Sequence, residues 1–434
     1  MATEQAPPPT EGSDSALSEE ELVTAAPEVL ANSLGEYFRA WGQRIKNGES
    51  GALPVLIGLI AIVIFFQLER SVFLTNGNLV NLFEQASIYV MIGAAETFIL
   101  LLSQIDLSLG YGAGVGAFVI ADLISPPVSL PWWLAIIGGL VAMALIGLIQ
   151  GTLVAQLRLP SFIVTLGGYL GLQGVMLEIA NVDKTNVGGT ISIPFNSPIY
   201  KLVNSNMSTT LAWVVLVVCL ALFAAATIAR SRSRRAQGLT TPPTGVTVLT
   251  IGLAAVAGVV LVLICNANRG NLAPLHGMPW VIPFVLLVLA LYSWMMSRTR
   301  TGRYMYAVGA NPEAARRAGI NVNLIVTIGF VLSSVTAGLA GMIYESQQGS
   351  MSTDIDGGGL VLFAVAAAVI GGTSLFGGRG RIFNALLGGI VIATVFNGLG
   401  LMGVSAAVQD IVTAVVLIAA VALDSLVRSR ATTR

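Results

Sequence analysis

Residues 311–321 read Asn311-Pro312-Glu313-Ala314-Ala315-Arg316-Arg317-Ala318-Gly319-Ile320-Asn321, a short polar stretch between two long apolar runs. Asn311 is a good N-cap residue, because its side-chain oxygen can accept from the free amides of the first helical turn. Pro312 then stands at the first helical position, where its missing N–H is harmless. Gly319 supplies a left-handed residue that ends the helix. The pattern predicts a helix of about two turns, too short to be stable alone in water.

This short helix carries three small side chains. We expect Ala314, Ala315 and Ala318 to form one flat apolar face, with Arg316 and Arg317 on either side of it. A capped helix without bulky side chains in a membrane protein is typical of a part that docks into another protein.

Composition sets the class of protein. Of 434 residues, 55% are hydrophobic and only 10% are charged, whereas soluble domains carry about 25% charged residues. The chain is therefore predicted to be all-α, a polytopic bundle of transmembrane helices. A net charge of zero gives no indication of a nucleic-acid partner. With His276 as the only histidine, no metal site of the histidine-cluster type is expected.

A helix that crosses a bilayer needs about 20 apolar residues, and by that rule we predict about twelve spans. Residues 51–427 then form one transmembrane domain, after a disordered acidic tail at 1–50 and before a basic segment at 428–434. The predicted spans lie near 51–67, 87–104, 108–125, 132–151, 160–181, 209–229, 244–265, 280–297, 324–344, 358–375, 383–402 and 407–426.

The distribution of basic residues predicts the orientation, because cytoplasmic loops carry an excess of Lys and Arg. With the N-terminus inside, only Arg70, Lys184, Lys201 and Arg269 of the 22 basic residues fall in outside loops. Both termini and the 309–321 helix are therefore predicted to be cytoplasmic. The two spans within 209–265 carry almost no polar residue, and we expect them to be a lipid-facing accessory pair.

No pattern typical of catalysis is present in the sequence. The phosphate loop G-x-x-x-x-G-K-[ST] is missing, so the chain is not predicted to be an enzyme, to hydrolyse ATP or to bind a cofactor directly. Cys219 and Cys265 lie in apolar runs and are predicted to be small hydrophobic residues rather than a disulfide.

Acidic groups within spans are costly and usually face a cavity or a partner. Glu96 is equally compatible with a functional role and with interhelical bonding. For Asp106 we favour an N-cap that bonds the amides of residues 108 and 109, with pathway lining as the alternative. Ser108 lies in the same polar segment and is a further pathway candidate.

A second candidate region is a glycine-rich break near the cytoplasmic side, since irregular backbone at membrane depth must be buried or line a cavity. Gly371, Gly372, Thr373 and Ser374 are therefore gate or hinge candidates. Asn397 is a pathway candidate for which an interhelical hydrogen bond is the commoner outcome. Two glycine groups, 110–116 and 167–174, are predicted to serve helix packing.

Three motifs in order resemble the permease subunits of monosaccharide ABC importers. Gly309–Val322 resembles their cytoplasmic coupling motif, Ile370–Gly380 their late glycine-rich signature, and Ile105–Gly110 their early one. Asn397-Gly398-Leu399 and Val421–Asp424 resemble their closing segments. The resemblance covers roughly 75–181 and 280–427, and the pair of spans at 209–265 makes the chain most similar to the xylose type.

The resemblance implies a pore of two permease chains. It also implies two kinds of partner, cytoplasmic ATPase subunits that hydrolyse ATP and an extracytoplasmic sugar-binding protein. It implies a bacterial-type inner membrane, with Asn311, Glu313, Ala314, Ala315, Arg316 and Gly319 coupling the chain to the ATPase. One departure occurs: where relatives usually show Glu-Leu-Asp, this chain has Val361-Leu362-Phe363.

The expected function is inward transport of a monosaccharide, such as xylose or another pentose, by alternating access. Two other classes stay open at this point. One is a secondary transporter driven by an ion gradient at Glu96 and Asp106, and the other is a structural membrane scaffold.

Overall fold

The structure, a computed structural model, describes residues 53–182, 189–238, 243–270 and 274–415 together with positions 39, 241 and 418. The predicted acidic tail at 1–50, apart from position 39, lies outside the described residues. So do Val421–Asp424 and the basic segment 428–434.

The described chain is mostly helical. Its helices are α1 (Leu53–Glu69), α2 (Asn76–Leu101), α3 (Leu109–Ile124), α4 (Trp132–Ala155), α5 (Ser161–Val182), α6 (Pro198–Asn204), α7 (Thr209–Ala236), α8 (Thr244–Asn266), α9 (Val281–Arg298), α10 (Arg300–Ala310), α11 (Pro312–Arg317), α12 (Val322–Gln348), α13 (Gly357–Ile370), α14 (Ala385–Met402) and α15 (Ala406–Val415). A 3₁₀ turn, Ile382–Asn384, precedes α14.

One small antiparallel ribbon was not predicted. Strands β1 (Thr190–Ser192) and β2 (Ser350–Ser352) pair with Thr190 opposite Ser352. Three residues are too few for the alternating pattern that identifies a strand in sequence, so the all-α prediction missed them.

Eight of the described helices are long and apolar enough to cross a membrane, namely α2, α4, α5, α7, α8, α9, α12 and α14 with its 3₁₀ turn. The apolar helices α1, α3, α13 and α15 are shorter. Each predicted span overlaps one of these helices, although the predicted span 407–426 lies mostly outside the described residues beyond position 415. The number of crossings and the orientation stay predictions.

Helix α2 begins at Asn76, well before the predicted start at residue 87. The added turns carry several polar residues, and one of them, Asn78, bonds within the protein. Asn78 Nδ2 lies 2.8 Å from the carbonyl oxygen of Phe73 and 2.8 Å from Oδ1 of Asn397. A bonded Asn78 lets the helix continue through residues that a hydropathy rule assigns to a loop.

The contacts divide the chain into two units, Ser50–Leu216 with Val259–Arg434 and Met1–Glu49 with Val217–Gly258. In the larger unit, α12 packs against α2, α3 and α4, and α2 also packs against α13 and α14. Almost every residue of α2 from Ala86 to Leu101 is buried. A helix that is apolar on all sides is expected to be enclosed by others, and α2 and α12 form the centre of this unit.

In the smaller unit, the described residues are chiefly the adjoining ends of α7 and α8. The Arg235 guanidinium donates to Oγ1 of Thr241 and of Thr244, at 3.2 and 3.4 Å. Both helices are exposed along most of their length. This exposure is what a lipid-facing accessory pair requires, and that role stays a prediction.

Two central helices are shorter than predicted. Spans were expected at 108–125 and 358–375, whereas α3 has 16 residues and α13 has 14. At 1.5 Å per residue they measure about 24 and about 21 Å, less than the roughly 30 Å of a bilayer core. The predicted span 108–125 is slightly too long because Ser108 and Ser125 lie outside α3. The predicted span 358–375 is too long because residues 371–375 are not helical.

The N-terminal ends of α3 and α13 meet inside the larger unit. A Cβ atom on Gly110 would overlap the carbonyl oxygen of Gly357, so this contact requires glycine. Ile355, just before α13, faces Gly114 of α3.

From this shared start, the two short helices end in different places. Ser125, after α3, donates its hydroxyl to the carbonyl oxygen of Ser192 in the ribbon, at 2.8 Å. The last turn of α13 packs Ala368 and Val369 against Leu100 at the end of α2. Residues 353–356 join the ribbon to the start of α13, and residues 102–108 join the end of α2 to the start of α3.

Candidate functional site

The helix α11 has the predicted caps. Oδ1 of Asn311 accepts a hydrogen bond from the amide of Ala314 at 3.0 Å, and Pro312 is the first helical residue. Gly319 has a φ of +82°, and its amide donates to the carbonyl of Arg316 at 3.0 Å. The predicted start and end of this helix are confirmed.

The predicted three-alanine face is wrong. Ala315 is only 4% exposed and belongs to the main apolar core, while Ala314 and Ala318 are exposed. Residues four apart share a helix face and adjacent residues do not, so Ala314 and Ala318 point outward together. Ala315 holds α11 to its own chain and is not available to a partner.

Apart from Ala314 and Ala318, the exposed surface of α11 is polar. Glu313 and Arg316 form an ion pair at 2.5 Å, and both side chains are exposed. Such a surface pair contributes little to stability. Its charges are free to meet a partner surface.

Helix α10 positions α11 against the centre of the bundle. The hydroxyl of Thr299 caps its start by accepting from the amide of Gly302 at 3.2 Å. Its buried face ends at Gly309, where a Cβ atom would overlap the carbonyl oxygen of Leu101. The end of α10 therefore rests directly on the end of α2.

Ser103 fastens this contact, and sequence reasoning gave it no role. Its hydroxyl lies 3.0 Å from the carbonyl oxygen of Gly309 and 2.9 Å from that of Phe376. Its φ of +59° places a non-glycine residue in the left-handed region, which costs of order 1–3 kcal/mol and persists only where the surroundings impose it. These partners are distant in sequence, so no local pattern could have indicated them.

The glycine-rich segment 371–380 lies against α10 and the end of α2. The amide of Gly378 donates to the carbonyl of Leu101 at 3.0 Å. The hydroxyl of Tyr306 donates to the carbonyl of Gly380 at 2.9 Å, and burial raises the pKa of Tyr306, which keeps that proton in place.

The gate candidates of this segment are held by bonds to the last turn of α13 and by bonds within the segment. Gly371 and Gly372 donate to carbonyls of the last turn of α13, and Gly372 has a φ of +97°. Thr373 is buried, and the hydroxyl of Ser374 accepts from the amide of Phe376 at 3.2 Å. A gating role for these four residues stays a prediction.

Asp106 closes the turn that leads into α3. Its Oδ1 accepts from the amide of Ser108 at 2.9 Å and from the hydroxyl of Ser108 at 2.6 Å. Gln150 of α4 donates to the same hydroxyl at 2.8 Å. The N-cap prediction for Asp106 is wrong, because Ser108 stands at the N-cap position of α3. Asp106 bonds the amide of residue 108 as expected, but within the turn before the helix, and the amide of residue 109 is not among its donors.

Two glutamates are fully buried in the central helices. Neither carboxylate oxygen of Glu96 in α2 or of Glu345 in α12 accepts a hydrogen bond from the described residues. Glu96 lies close enough to Asp106 for their charges to interact. Sequence reasoning missed Glu345, although a lone acid within an apolar span was a signal that could have found it.

Asn397 and two residues of the segment 361–363, where relatives usually show Glu-Leu-Asp, take part in helix packing. Asn397 bonds to Asn78 of α2, which is the interhelical bond expected as its commoner outcome. Of the residues that replace the usual acids, Val361 is buried and the ring of Phe363 packs at 4.8 Å from that of Phe396. The 361–363 segment is therefore part of the apolar packing of α13.

The two glycine groups behave differently. Glycines 110, 114 and 116 make close contacts with other helices, as predicted. Of the second group only Gly168 does so, while Gly167, Gly171 and Gly174 have no atom within 4 Å of a Cβ position. The packing prediction is wrong for these three within the described chain. Both cysteines are free, as predicted.

Together, the many long apolar helices and the short helices enclosed among them are consistent with a multi-pass membrane protein. The chain matches the family described as the permease component of branched-chain amino acid transport systems, over residues 78–421. It belongs to this family, within its monosaccharide ABC-importer permeases.

Three relatives from Escherichia coli (strain K12) cover most of the chain. The D-allose transport system permease protein AlsC is 32% identical, over 85% of this chain and 89% of its own. The xylose transport system permease protein XylH is 32% identical, over 89% of this chain and 94% of XylH. The ribose import permease protein RbsC is 31% identical, over 90% of this chain and 96% of RbsC.

These near-equal identities do not single out the xylose type. No solved structure matches the chain.

Proposed function

We propose that this chain is the membrane subunit of an ATP-driven importer that carries a monosaccharide across the inner membrane by alternating access. ATP is bound and hydrolysed by partner ATPase subunits, and a binding protein outside the membrane delivers the sugar. Membership of the sugar permease family supports each of these partners.

The proposed topology has twelve crossings, with both termini in the cytoplasm. The basic residues of the loops support this orientation. In this arrangement α10 and α11 lie in the cytoplasm between α9 and α12, and the β1–β2 ribbon lies outside. Two copies of the chain form the pore.

One observation carries the proposal: the helix α11 is anchored through Ala315 and presents Asn311, Glu313, Ala314, Arg316 and Gly319 to the solvent. This capped helix of six residues is held to its own chain by one buried alanine, so most of its surface is left for a partner. A groove in an ATPase subunit would cover it, with small Ala314 allowing close approach.

Movement of α11 would be transmitted through contacts that already exist. Gly309 rests on Leu101, Ser103 bonds to Gly309, and Gly378 bonds to Leu101. These contacts join α10 to the end of α2 and to the segment that follows α13. A displacement of α11 therefore reaches both short helices.

The substrate is a monosaccharide in the size range of the sugars that the relatives carry. Relatives named for D-allose, xylose and ribose match almost equally well. We therefore propose a pentose or hexose, with xylose as one of the sugars to test.

The test is uptake of radiolabelled D-xylose, D-allose and D-ribose into vesicles that hold the chain with its ATPase and binding protein. We expect uptake that needs ATP inside and survives an uncoupler. Glu313→Lys should leave the chain folded and reduce coupled uptake. Uptake that collapses with the uncoupler while ATP is present would instead support an ion-driven transporter using Glu96 and Asp106.

A further inference from the structure

Four side chains converge where α3 and α13 begin. The rings of Tyr111 on α3 and Tyr169 on α5 lie edge to face with their centres 4.8 Å apart. The amide of Gln173, one turn after Tyr169, donates to the hydroxyl of Tyr111 at 3.0 Å. The fourth side chain is Asp356, and we call these residues the mid-bundle cluster.

Asp356 is tied to the cluster through the start of α13. Its Oδ1 accepts from the amide of Gly359 at 2.8 Å, which caps the helix. A Cβ atom on Gly358 would lie 3.0 Å from the hydroxyl of Tyr169 and 3.5 Å from Oδ1 of Asp356. The Tyr169 hydroxyl and the Asp356 carboxylate therefore both lie next to Gly358.

The members of the cluster differ in exposure. Tyr111 is only 8% exposed, so it positions the others. Tyr169 and Gln173 are half-buried and Asp356 is exposed. Among the described residues no group donates a hydrogen bond to Oδ2 of Asp356, which leaves this oxygen open to a ligand.

The position of Asp356 makes its exposure informative. It lies directly before α13, whose first residue meets the start of α3, and it follows a non-helical segment. Irregular backbone at membrane depth is tolerated only where it is buried or lines a water-filled cavity. An acid there faces a cavity or a partner, because exposure to lipid is strongly unfavourable.

We infer that the mid-bundle cluster contacts the monosaccharide as it crosses the membrane, an inference that rests on the proposed function. The carboxylate of Asp356 accepts bonds from sugar hydroxyls, and the Gln173 amide and Tyr169 phenol both donate and accept. The Tyr169 ring offers an apolar surface to the C–H face of the sugar.

The same chemistry argues against a metal ion as the occupant. A hard cation such as Ca²⁺ takes six to eight oxygen ligands, and the cluster offers one carboxylate among aromatic and amide groups. Among the described residues no group of three or more His, Cys, Asp or Glu side chains could hold a metal. Few polar groups beside aromatic rings are typical of a small-molecule site.

The test uses the full chain with its partners in vesicles, and radiolabelled D-xylose, D-allose and D-ribose as probes. Asp356→Asn keeps the helix cap, because Asn caps as well as Asp, and removes the charge. We expect uptake to fall about tenfold, as for the loss of a charge-assisted hydrogen bond, while ATP hydrolysis stimulated by the binding protein continues. Tyr169→Ala should also change the preference among the three sugars.

Asp354→Asn is the matched control, since Asp354 is also exposed but lies nearer the ribbon and bonds to Ser352. It should leave uptake unchanged. If the wild type shows no ATP-dependent uptake, the proposed function fails. If the wild type transports and the Asp356 and Tyr169 variants match it in rate and preference, the cluster inference is overturned.

A cysteine variant separates a sugar pathway from a contact between two copies. Asp356→Cys should react with a membrane-impermeant thiol reagent, more slowly when the loaded binding protein is present. Cross-linking of two copies through this cysteine without loss of uptake would overturn the inference in favour of a subunit interface.

Discussion

The hydroxyl oxygen of Ser103 lies 3.0 Å from the carbonyl oxygen of Gly309, although 206 residues separate them in the chain. This bond joins the turn after α2 to the helix that leads into α11. The same turn continues through Asp106 to the start of α3. A force applied to α11 therefore has a short, bonded route to the centre of the bundle.

We predict that Ser103→Ala lowers coupled uptake several-fold while ATP hydrolysis continues. The lost bond is worth about 1 kcal/mol in stability, so the chain should still fold. Ser103→Gly relieves the left-handed backbone but also lacks the hydroxyl, and it should lower uptake in the same way. Normal uptake in both variants would show that this bond does not transmit movement.

Gly309→Ala should destabilise the chain, because the added Cβ overlaps the carbonyl oxygen of Leu101. Overpacking of this kind costs about 1–3 kcal/mol. Thermal unfolding in detergent measures the loss. Gly400→Ala is the control, since no atom lies within 4 Å of its Cβ position, and it should unfold at the wild-type temperature or slightly above. Equal stability of the two variants would contradict the contact.

Asn311→Ala should weaken association with the ATPase subunit while leaving the membrane bundle folded. Loss of an N-cap costs about 1 kcal/mol, a large share of the stability of a six-residue helix. Asn311→Asp retains a capping oxygen and should bind normally. Co-purification of the ATPase with each variant measures the difference, and equal recovery would argue against a role for the cap.

Asp106→Asn distinguishes a structural turn from an ion site. Asn retains the oxygen that accepts from Ser108, so we predict uptake within about threefold of wild type, since a neutral hydrogen bond replaces a charged one. Asp106→Ala leaves Ser108 without its acceptor and should reduce uptake and stability together. Complete loss of uptake in Asp106→Asn with an intact fold would favour coupling to protons or cations.

The capped helix α11 could be predicted from sequence because its caps are local. Asn311 bonds three residues ahead, and Gly319 ends the helix through its own backbone. The orientation of Ala315 could not be predicted, because it depends on how α11 packs on α10 and α12. The apolar helices could also be predicted, because hydropathy depends only on the residues of each segment.

The centre of the bundle was harder to predict from sequence. Hydropathy indicated full spans where α3 and α13 are short, because a window of about 20 residues averages each apolar helix with the polar residues at its ends. The contact between Gly110 and Gly357 joins distant parts of the chain, and so does that between Ser103 and Gly309. Such contacts leave no periodic signal, so the mid-bundle cluster and the role of Ser103 required the structure.

The central claim is that an ATPase subunit moves this chain through the exposed face of α11. Co-purification of the ATPase with the Ala314→Trp variant, together with ATP-dependent sugar uptake, tests it most directly. We predict that this variant folds, since Ala314 is exposed, but loses both the ATPase and uptake. Full recovery of the ATPase and normal uptake with Trp at this position would contradict the account.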